Sequence, residues 1–329
     1  MLDFEQRAEL IKHGMNGVIE DKEDSRDYTF NAEFIAKLPT KVDMREFSGE
    51  IENQLNTGSC VANATCSALE LMYRKEMGDD IDLSRLFVYY WAREPYPALK
   101  EKDGGAYMRD GFRVCNQMGV PLEEFWDFDV SQVNVKPSAI SENEAPDNKA
   151  IRYERIVNNE ISNIKNALSQ GLPVIFGAYL TEEFYYVSGP IENQNYQGRL
   201  GYTDVVGGHA MNIVGYDDNL NGGSFIIENS WSTQWGDFGY CAFPYETYLS
   251  DAMDSWVCTE FKADIIKDIN TPEDFDIEPE NTLEEIKIWF HKMLRKVIDM
   301  IIELPSLNDV WTKMLEALKK MWETFKGVL

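Results

Sequence analysis

The apolar residues of this chain change their spacing part-way along, and that change limits the folds open to it. Up to residue 118 they recur at helical spacing, which predicts helices at 60–77, from Asp82 or Ser84 to Pro95, and at 107–118. A further helix is predicted at 161–170. Beyond it, the runs VIFGAYL, HAMNIVGY, SFIIENSW and GYCAFPY predict strands. A helix-rich first half and a strand-rich second half indicate an α+β fold.

The overall composition describes a globular protein with a strong acidic excess. A formal net charge of -26 opposes attraction to nucleic acid or to an anionic membrane, so we expect no nucleic-acid partner. No run of about 18 apolar residues occurs, so we expect no membrane span. Five cysteines without a C-x-x-C pair favour reduced thiols. The acidic N-terminus is unlike a signal peptide, and we expect a cytoplasmic or virion-associated protein.

Composition breaks predict four segments along the chain. Residues 1–43 form a leading arm, residues 44–263 the main domain, residues 264–281 an acidic linker, and residues 282–329 two amphipathic helices separated by Pro305. The arm is either a short propeptide that blocks a cleft or a brace for the main domain. The two helices predict docking to a protein partner or to a second copy, with packing on their own domain as the alternative.

Cys60 stands at the start of the strongest predicted helix. The helix dipole and the free N–H groups of the first turn favour a thiolate at that position. Gly58 permits a close approach to the helix. The Gln54 amide is placed to reach an oxyanion beside the Cys60 N–H. The alternative is an ordinary buried cysteine at a helix start.

Two further candidate groups lie in the strand-rich half. His209, one of three histidines, opens an apolar strand after two glycines, which would hold its ring rigidly. The Asn229 carboxamide, at the end of the strand SFIIE, is placed to accept the N–H of His209 and fix its tautomer. Trp231 would cover that bond from water. Taken singly, each also suits a packed histidine or a simple turn.

The order of these residues resembles the papain family of cysteine peptidases. The blocks QLNTGSCVANA, DGGAYMRDGFRVCNQMGVP, GGHAMNIVGYDD and FIIENSWSTQWGDFGY are similar to those of that family and cover about residues 40–260. The resemblance implies a helical lobe and an antiparallel, β-barrel-like lobe with the active-site cleft between them. Here a C-terminal helical hairpin would follow. The implied substrate is a peptide or protein, with no cofactor and no metal.

The resemblance implies a role for each matching residue. Cys60 would be the nucleophile, His209 the general base and acid, and Asn229 its orienting partner. Gln54 would complete the oxyanion hole with the Cys60 N–H, and Trp231 would shield the His–Asn bond.

Substrate contacts follow from the same resemblance. Gly104 and Gly105 match glycines that run antiparallel to bound peptide. Tyr107 and Ala210 would lie near the pocket for the second residue before the scissile bond. Thr57 and Val61 stand where secreted members have cysteine and tryptophan, which agrees with reduced thiols and resembles bacterial and viral members.

One further pattern is interpreted as a turn. Its residues match an EF-hand calcium loop: Asp217, Asn219, Asn221, Gly222 and Glu228. Helices must flank such a loop, whereas strands are predicted on both sides here. A polar hairpin turn is therefore expected.

Three functions remain open from the sequence. The first is a cysteine endopeptidase that works through an acyl-enzyme. The second is a catalytically silent papain-fold protein assembled through its C-terminal helices. The third is a related acyl transfer, of transglutaminase or amidase type, which the asparagine partner disfavours.

Overall fold

The computed structural model describes residues 17–30, 37–201 and 204–263. The chain divides into two compact units, Met1–Ala263 and Asp264–Leu329. The second unit, with the predicted acidic linker and C-terminal hairpin, lies outside the described residues. The short helix predicted for the N-terminus lies outside them too.

The predicted helices of the first half are present. In the described part of the chain the helices are α1 (Cys60–Met77), α2 (Arg85–Arg93), α3 (Pro97–Glu101), α4 (Met108–Gln117), α5 (Ala139–Glu144), α6 (Ile161–Ser169) and α7 (Tyr245–Asp251). Gly78, with φ of 69°, ends α1 in the left-handed region. Ser84 caps α2 by accepting the N–H of Phe87. Of the two caps predicted for this helix, Ser84 is the one used.

Nine strands form two sheets in the described residues. They are β1 (Val18–Ile19), β2 (Lys41–Asp43), β3 (Ala106–Tyr107), β4 (Asn148–Ile156), β5 (Val174–Thr181), β6 (Val205–Asp217), β7 (Ser224–Glu228), β8 (Tyr240–Pro244) and β9 (Ala252–Ala263). The large sheet has the order β4-β9-β5-β6-β7-β8, with β2 paired to β6, and all its pairs are antiparallel. The small sheet joins β1 to β3 in parallel.

The α+β fold is confirmed, and the sheet does not close into a complete barrel. Its outer strands β4 and β8 do not pair with each other, and the leading arm contacts the edge of β4 at Arg155. The Phe30 N–H donates to the Arg155 carbonyl at 2.9 Å, and the Arg155 N–H donates to the Tyr28 carbonyl at 2.7 Å. These two bonds add the arm to the edge of the sheet at this point.

Two long strands were not anticipated, β4 and β9. Residues 129–150 are polar and carry two prolines, a composition that favours a long surface connection, yet they contain α5 and the first residues of β4. Charged residues run through β4 (NKAIRYERI), since several of its side chains face the arm rather than the core. The apolar alternation that marks a half-buried strand is therefore weak.

Helix α1 packs against β6 and β9 of the large sheet. A buried ion pair between Arg85 Nη2 and Glu70 Oε2, 3.0 Å apart, joins α2 to α1. All five cysteines are buried and none forms a disulfide. None of the described helices combines the length and the apolarity needed to cross a membrane.

Candidate active site

The Cys60 thiol lies at the junction of the helical lobe and the sheet. Cys60 is the first residue of α1, after Ser59, and it is fully buried. The backbone N–H of Ala210, on β6, donates to Cys60 Sγ at 3.4 Å. His209 precedes Ala210 on β6 and therefore lies directly beside the residue that contacts the sulfur.

His209 and Asn229 are held together by a short hydrogen bond. His209 Nε2 lies 2.7 Å from Asn229 Oδ1, and both residues are buried. The Trp231 ring lies 4.7 Å from the imidazole, centroid to centroid, and stacks on Tyr185 at 5.4 Å. A buried amide oxygen that accepts from Nε2 leaves the proton-free lone pair on Nδ1. The structure thus brings together the three residues that the sequence placed far apart.

Gln54 is fixed at both ends of its amide group. Its Nε2 donates to the Thr57 carbonyl at 2.9 Å, and its Oε1 accepts from Ser230 Oγ at 2.6 Å. The backbone N–H of Gln54 also donates to the Ser230 carbonyl. An amide nitrogen carries two hydrogens, so one bond to Thr57 fixes the direction of the second. The residue after Asn229 therefore orients the predicted oxyanion donor.

Asp103 and Tyr89 tie the loop before Cys60 to the segment that leads into β3, and sequence reasoning missed both. The Gly58 N–H lies 3.1 Å and 3.2 Å from the two Asp103 carboxylate oxygens. The Tyr89 hydroxyl donates to Asp103 and accepts the Gly105 N–H at 3.2 Å. Asp103 has a φ of 50°, a strained conformation for a residue with a side chain. Only the tertiary contacts reveal this pair.

The leading arm occupies the cleft in front of Cys60. Strand β1 pairs with β3, and the Ala106 N–H donates to the Gly17 carbonyl at 2.9 Å. Gly17 lies so close to the nucleophile that a Cβ there would be 2.5 Å from Cys60 Sγ. Of the two roles predicted for the arm, the contacts of these residues match the blocking one.

Val18 fills a pocket beside the sulfur. A Cβ on Gly177 would lie 3.1 Å from Val18 Cγ2 and 3.5 Å from Met253 Sδ, and Met108 Cε would be 3.4 Å away. A Cβ on Gly208 would lie 3.1 Å from Val18 Cγ1. The sequence had suggested Tyr107 and Ala210 for this pocket. The glycines that make room for a side chain carry no apolar signal of their own.

The backbone groups near the pocket are bonded to Tyr89 and to the arm. The Gly105 N–H was expected to face a substrate, but it donates to Tyr89. The neighbouring Ala106 N–H is the group that donates into the cleft, to Gly17. The Gly104 N–H donates to the Leu99 carbonyl, Tyr107 pairs with Ile19, and the Ala210 N–H donates to the Cys60 sulfur.

The arm changes the chemistry expected of Cys60. Burial raises the pKa of the Cys60 thiol to about 12, against the smaller lowering by N–H groups of Ala210 and Val61. The helix start alone had favoured a thiolate. With the arm in place the loss of water outweighs the dipole and keeps the thiol neutral.

Residues 38–257 match the model of the papain family of cysteine proteases. The chain belongs to this family. An uncharacterized peptidase C1-like protein of Acanthamoeba polyphaga mimivirus is 33% identical over 240 residues, 69% of this chain and 74% of that protein. Mouse cathepsin K is 28% identical over 222 residues, 66% of this chain and 63% of cathepsin K.

Solved structures agree with the assignment to the papain family. Xylellain, a cysteine protease from Xylella fastidiosa, superposes with a TM-score of 0.63 and 30% identity, covering 76% of this chain and 97% of xylellain. The bromelain protease from Ananas comosus, in complex with the inhibitor E64, has the same fold with a TM-score of 0.52 and 22% identity. The chain is therefore a papain-family cysteine protease, a hydrolase of peptide bonds.

The EF-hand-like pattern joins two strands, as expected for a turn. It connects β6 to β7, and the Asn219 N–H donates to Asp217 Oδ1 within the turn. Glu228, which an EF-hand would use as a ligand, is buried in β7. Within residues 17–30, 37–201 and 204–263, no group of three His, Cys, Asp or Glu side chains is arranged to hold a metal ion.

Proposed function

We propose that this papain-family protease is an endopeptidase that acts through Cys60, His209 and Asn229. The observation that carries the proposal is the 2.7 Å bond from His209 to Asn229, next to the Ala210 N–H that contacts Cys60 Sγ. A nucleophile, a base and a group that orients the base are the three parts of such a catalytic unit.

The reaction proceeds through an acyl-enzyme, and His209 moves the protons at each step. His209 takes the proton of the Cys60 thiol, and the thiolate attacks the carbonyl carbon of the scissile peptide. The resulting oxyanion accepts N–H bonds from Gln54 and the Cys60 backbone. His209 then gives its proton to the leaving amine as the C–N bond breaks. Water attacks the thioester with His209 as base, which releases the acid product and regenerates the thiol.

The described conformation is a latent form of this enzyme. Gly17 covers the sulfur and Val18 fills the neighbouring pocket. The arm also runs parallel to β3. A substrate is predicted to run antiparallel to this segment, opposite to the chain direction of the arm. The arm therefore occupies the cleft without placing a peptide bond in the orientation needed for attack by Cys60. The pocket that holds Val18 favours substrates with an apolar side chain at that position.

The test is covalent labelling by E-64, the inhibitor bound in the bromelain structure. The thiolate opens the epoxide ring, forming a C–S bond as the C–O bond breaks and the alkoxide takes a proton. We expect one adduct, at Cys60, and none in the Cys60→Ala variant. Cys66→Ala, a second buried cysteine on the same helix, is the matched control and should label normally.

Absence of label at any pH, with the arm intact or removed, would overturn the proposal. That result would favour a catalytically silent papain-fold protein. Label at Cys60 without hydrolysis of a peptide library would retain the activated thiol and reject endopeptidase activity.

A further inference from the structure

The arm is fastened to the domain by a buried cluster of acids and arginines. Asp21 of the arm and Asp254 of β9 are each only 2% exposed, and their carboxyl groups face each other. Arg109, on α4, donates to Asp21 through its backbone N–H at 2.9 Å and through Nη1 at 3.1 Å. The Trp256 Nε1 donates to Asp254 Oδ2 at 2.7 Å. This cluster lies only three residues beyond Val18.

The charges of the cluster do not balance while all its acids are ionised. Asp27, also of the arm, lies 2.8 Å from Arg109 Nη2 and 3.6 Å from Arg155 Nη1. Three carboxyl groups therefore face two guanidinium groups. The buried Asp254 carboxyl accepts from Trp256 Nε1 and faces both the backbone N–H and the carboxyl group of Asp21. One proton held between Asp21 and Asp254 would balance the charge of these groups and join the two carboxyl groups by a hydrogen bond.

We propose that a proton shared between Asp21 and Asp254 latches the arm over the cleft, and that the cleft opens as the pH rises. The inference rests on the proposed function, in which Cys60 at the bottom of that cleft is the nucleophile. Loss of the proton leaves two buried carboxylates in contact. Their repulsion is relieved when the arm lifts and Asp21 reaches water.

The sign of the effect follows from the two carboxyl groups. Burial, and then the charge of Asp254, raise the pKa of Asp21 to about 8, from the ordinary value of 3.8. Burial also raises the pKa of Asp254. A pKa raised in the closed state stabilises closure fully at acid pH, and this stabilisation is lost as the pH rises towards about 8. The open-to-closed ratio should grow about tenfold per pH unit between about pH 4 and pH 8, then level off.

Other groups around the pair do not reverse this sign. The charged and titratable side chains that face it are Arg109 from α4, Arg155 from β4, Tyr179 from β5, Tyr248 from α7, Arg199 beside Tyr179, and Glu20, Asp24 and Asp27 from the arm. Burial raises the pKa of both Tyr179 and Tyr248, which stay neutral below pH 8. Opening also hydrates the Cys60 thiol, which favours release in the same direction.

The variant Asp254→Asn isolates the shared proton. Its amide oxygen can take the place of Oδ2 and accept from Trp256, while its NH₂ takes the place of Oδ1 and donates to Asp21. The amide thus copies the protonated carboxyl and cannot lose its proton. We expect the arm of this variant to stay closed as the pH rises. Glu23→Gln removes an exposed carboxylate of the same arm outside the cluster and should behave like the parent chain.

Hydrogen exchange of the amides of residues 17–21 measures how often the arm opens, and it does not require catalysis. The full chain carries Cys60→Ala throughout, and parent and Asp254→Asn proteins are compared at each pH so that intrinsic exchange cancels. Protection in the parent should fall by about two orders of magnitude, relative to Asp254→Asn, between about pH 6 and pH 8. E-64 labelling of the chains that retain Cys60 should show the same ratio of rates.

The outcomes separate the latch from the proposed function. Equal pH dependence of exchange in both proteins would overturn the latch, whatever the labelling shows. A latch in the exchange data without any labelling would leave the inference intact and reject the peptidase. If Asp254→Asn does not fold, ¹³C NMR of aspartate-labelled parent chain replaces it. An aspartate carboxyl titrating near pH 8 is expected, and its absence would overturn the latch.

Discussion

Gly17 packs its Cα against the sulfur of Cys60, and no larger residue fits that space. A Cβ at position 17 would lie 2.5 Å from Cys60 Sγ and 2.8 Å from the Gly58 carbonyl oxygen. Contacts this short do not occur between real atoms, and one of the two is with backbone that cannot turn aside. The identity of a single residue in the arm therefore determines whether the cleft can close.

Gly17→Ala should activate the protein. The added methyl group destabilises the closed arm by about 1–3 kcal/mol, which corresponds to a rise of about 5- to 150-fold in the open fraction. The rate of E-64 labelling at a fixed pH measures the change. Glu23→Ala, on an exposed part of the same arm, should leave the rate unaltered. An unchanged rate in Gly17→Ala would show that the arm does not limit access to Cys60.

Asn229→Ala should lower kcat far more than it raises KM. Without the amide oxygen 2.7 Å from His209 Nε2, the imidazole loses its fixed tautomer and orientation. We expect a fall in kcat on the order of 10²-fold, measured on a peptide substrate with the arm open. Asn219→Ala removes an exposed asparagine from the β6–β7 turn and serves as the control. A loss confined to KM would assign Asn229 to binding instead.

Tyr89→Phe should loosen the nucleophile loop. The change removes the hydroxyl that joins Asp103 to the Gly105 N–H, and it leaves both without that partner. We expect a loss of about 1–3 kcal/mol in the free energy of unfolding. We also expect a rise in KM, because the segment that leads into β3, where substrate is predicted to bind, is no longer fixed against Gly58. Tyr28→Phe, at a tyrosine that is 70% exposed, should change neither quantity.

Asp103→Asn tests the charge of the Asp103 carboxylate separately from its hydrogen bonds. The asparagine oxygen can still accept one hydrogen bond, but the negative charge near the sulfur is gone. Two factors raise the pKa of Cys60: burial has the larger effect, and the charge of the Asp103 carboxylate has the smaller one. The acid limb of the kcat/KM profile should therefore move to lower pH. A limb that stays in place would confine Asp103 to a structural role.

Arg85→Ala should destabilise the helical lobe severely. The guanidinium is buried and lies 3.0 Å from Glu70 Oε2 and 2.9 Å from Glu52 Oε1. Its removal leaves a buried carboxyl without its cation, and we expect the free energy of unfolding to fall by about 3–5 kcal/mol in urea denaturation. Arg26→Ala breaks an ion pair whose arginine is 88% exposed, and no measurable loss is expected there.

The sequence predicted the parts of the fold that depend on local pattern. The helix from Cys60 to Met77 was predicted because apolar spacing, a flexible residue before it and a glycine after it all act within a few residues. The strands β5, β6, β7 and β8 were predicted because their side chains are apolar on both faces. Strand β4 was missed because charged residues run through it and leave no apolar alternation in the sequence, and its partner β9 was not predicted either.

The same division holds at the active site. Gln54, Cys60, His209 and Asn229 could be singled out because their residue types and order carry chemistry that a motif displays. Asp103 and Tyr89 could not, since an aspartate and a tyrosine acquire a role here only through contacts with Gly58 and Gly105. The Val18 pocket was missed for a related reason. It is made by the absence of side chains at Gly177 and Gly208.

The sequence alone therefore determined the family, the helix that begins at Cys60 and the residues of the proposed triad. Tertiary structure alone decided that the arm closes the cleft, that the buried thiol is neutral, and that Asp21 meets Asp254. Local pattern specifies which element a residue joins and which chemistry its side chain offers. The protonation of that side chain depends on burial and on charges brought from distant parts of the chain, and only the folded protein defines these.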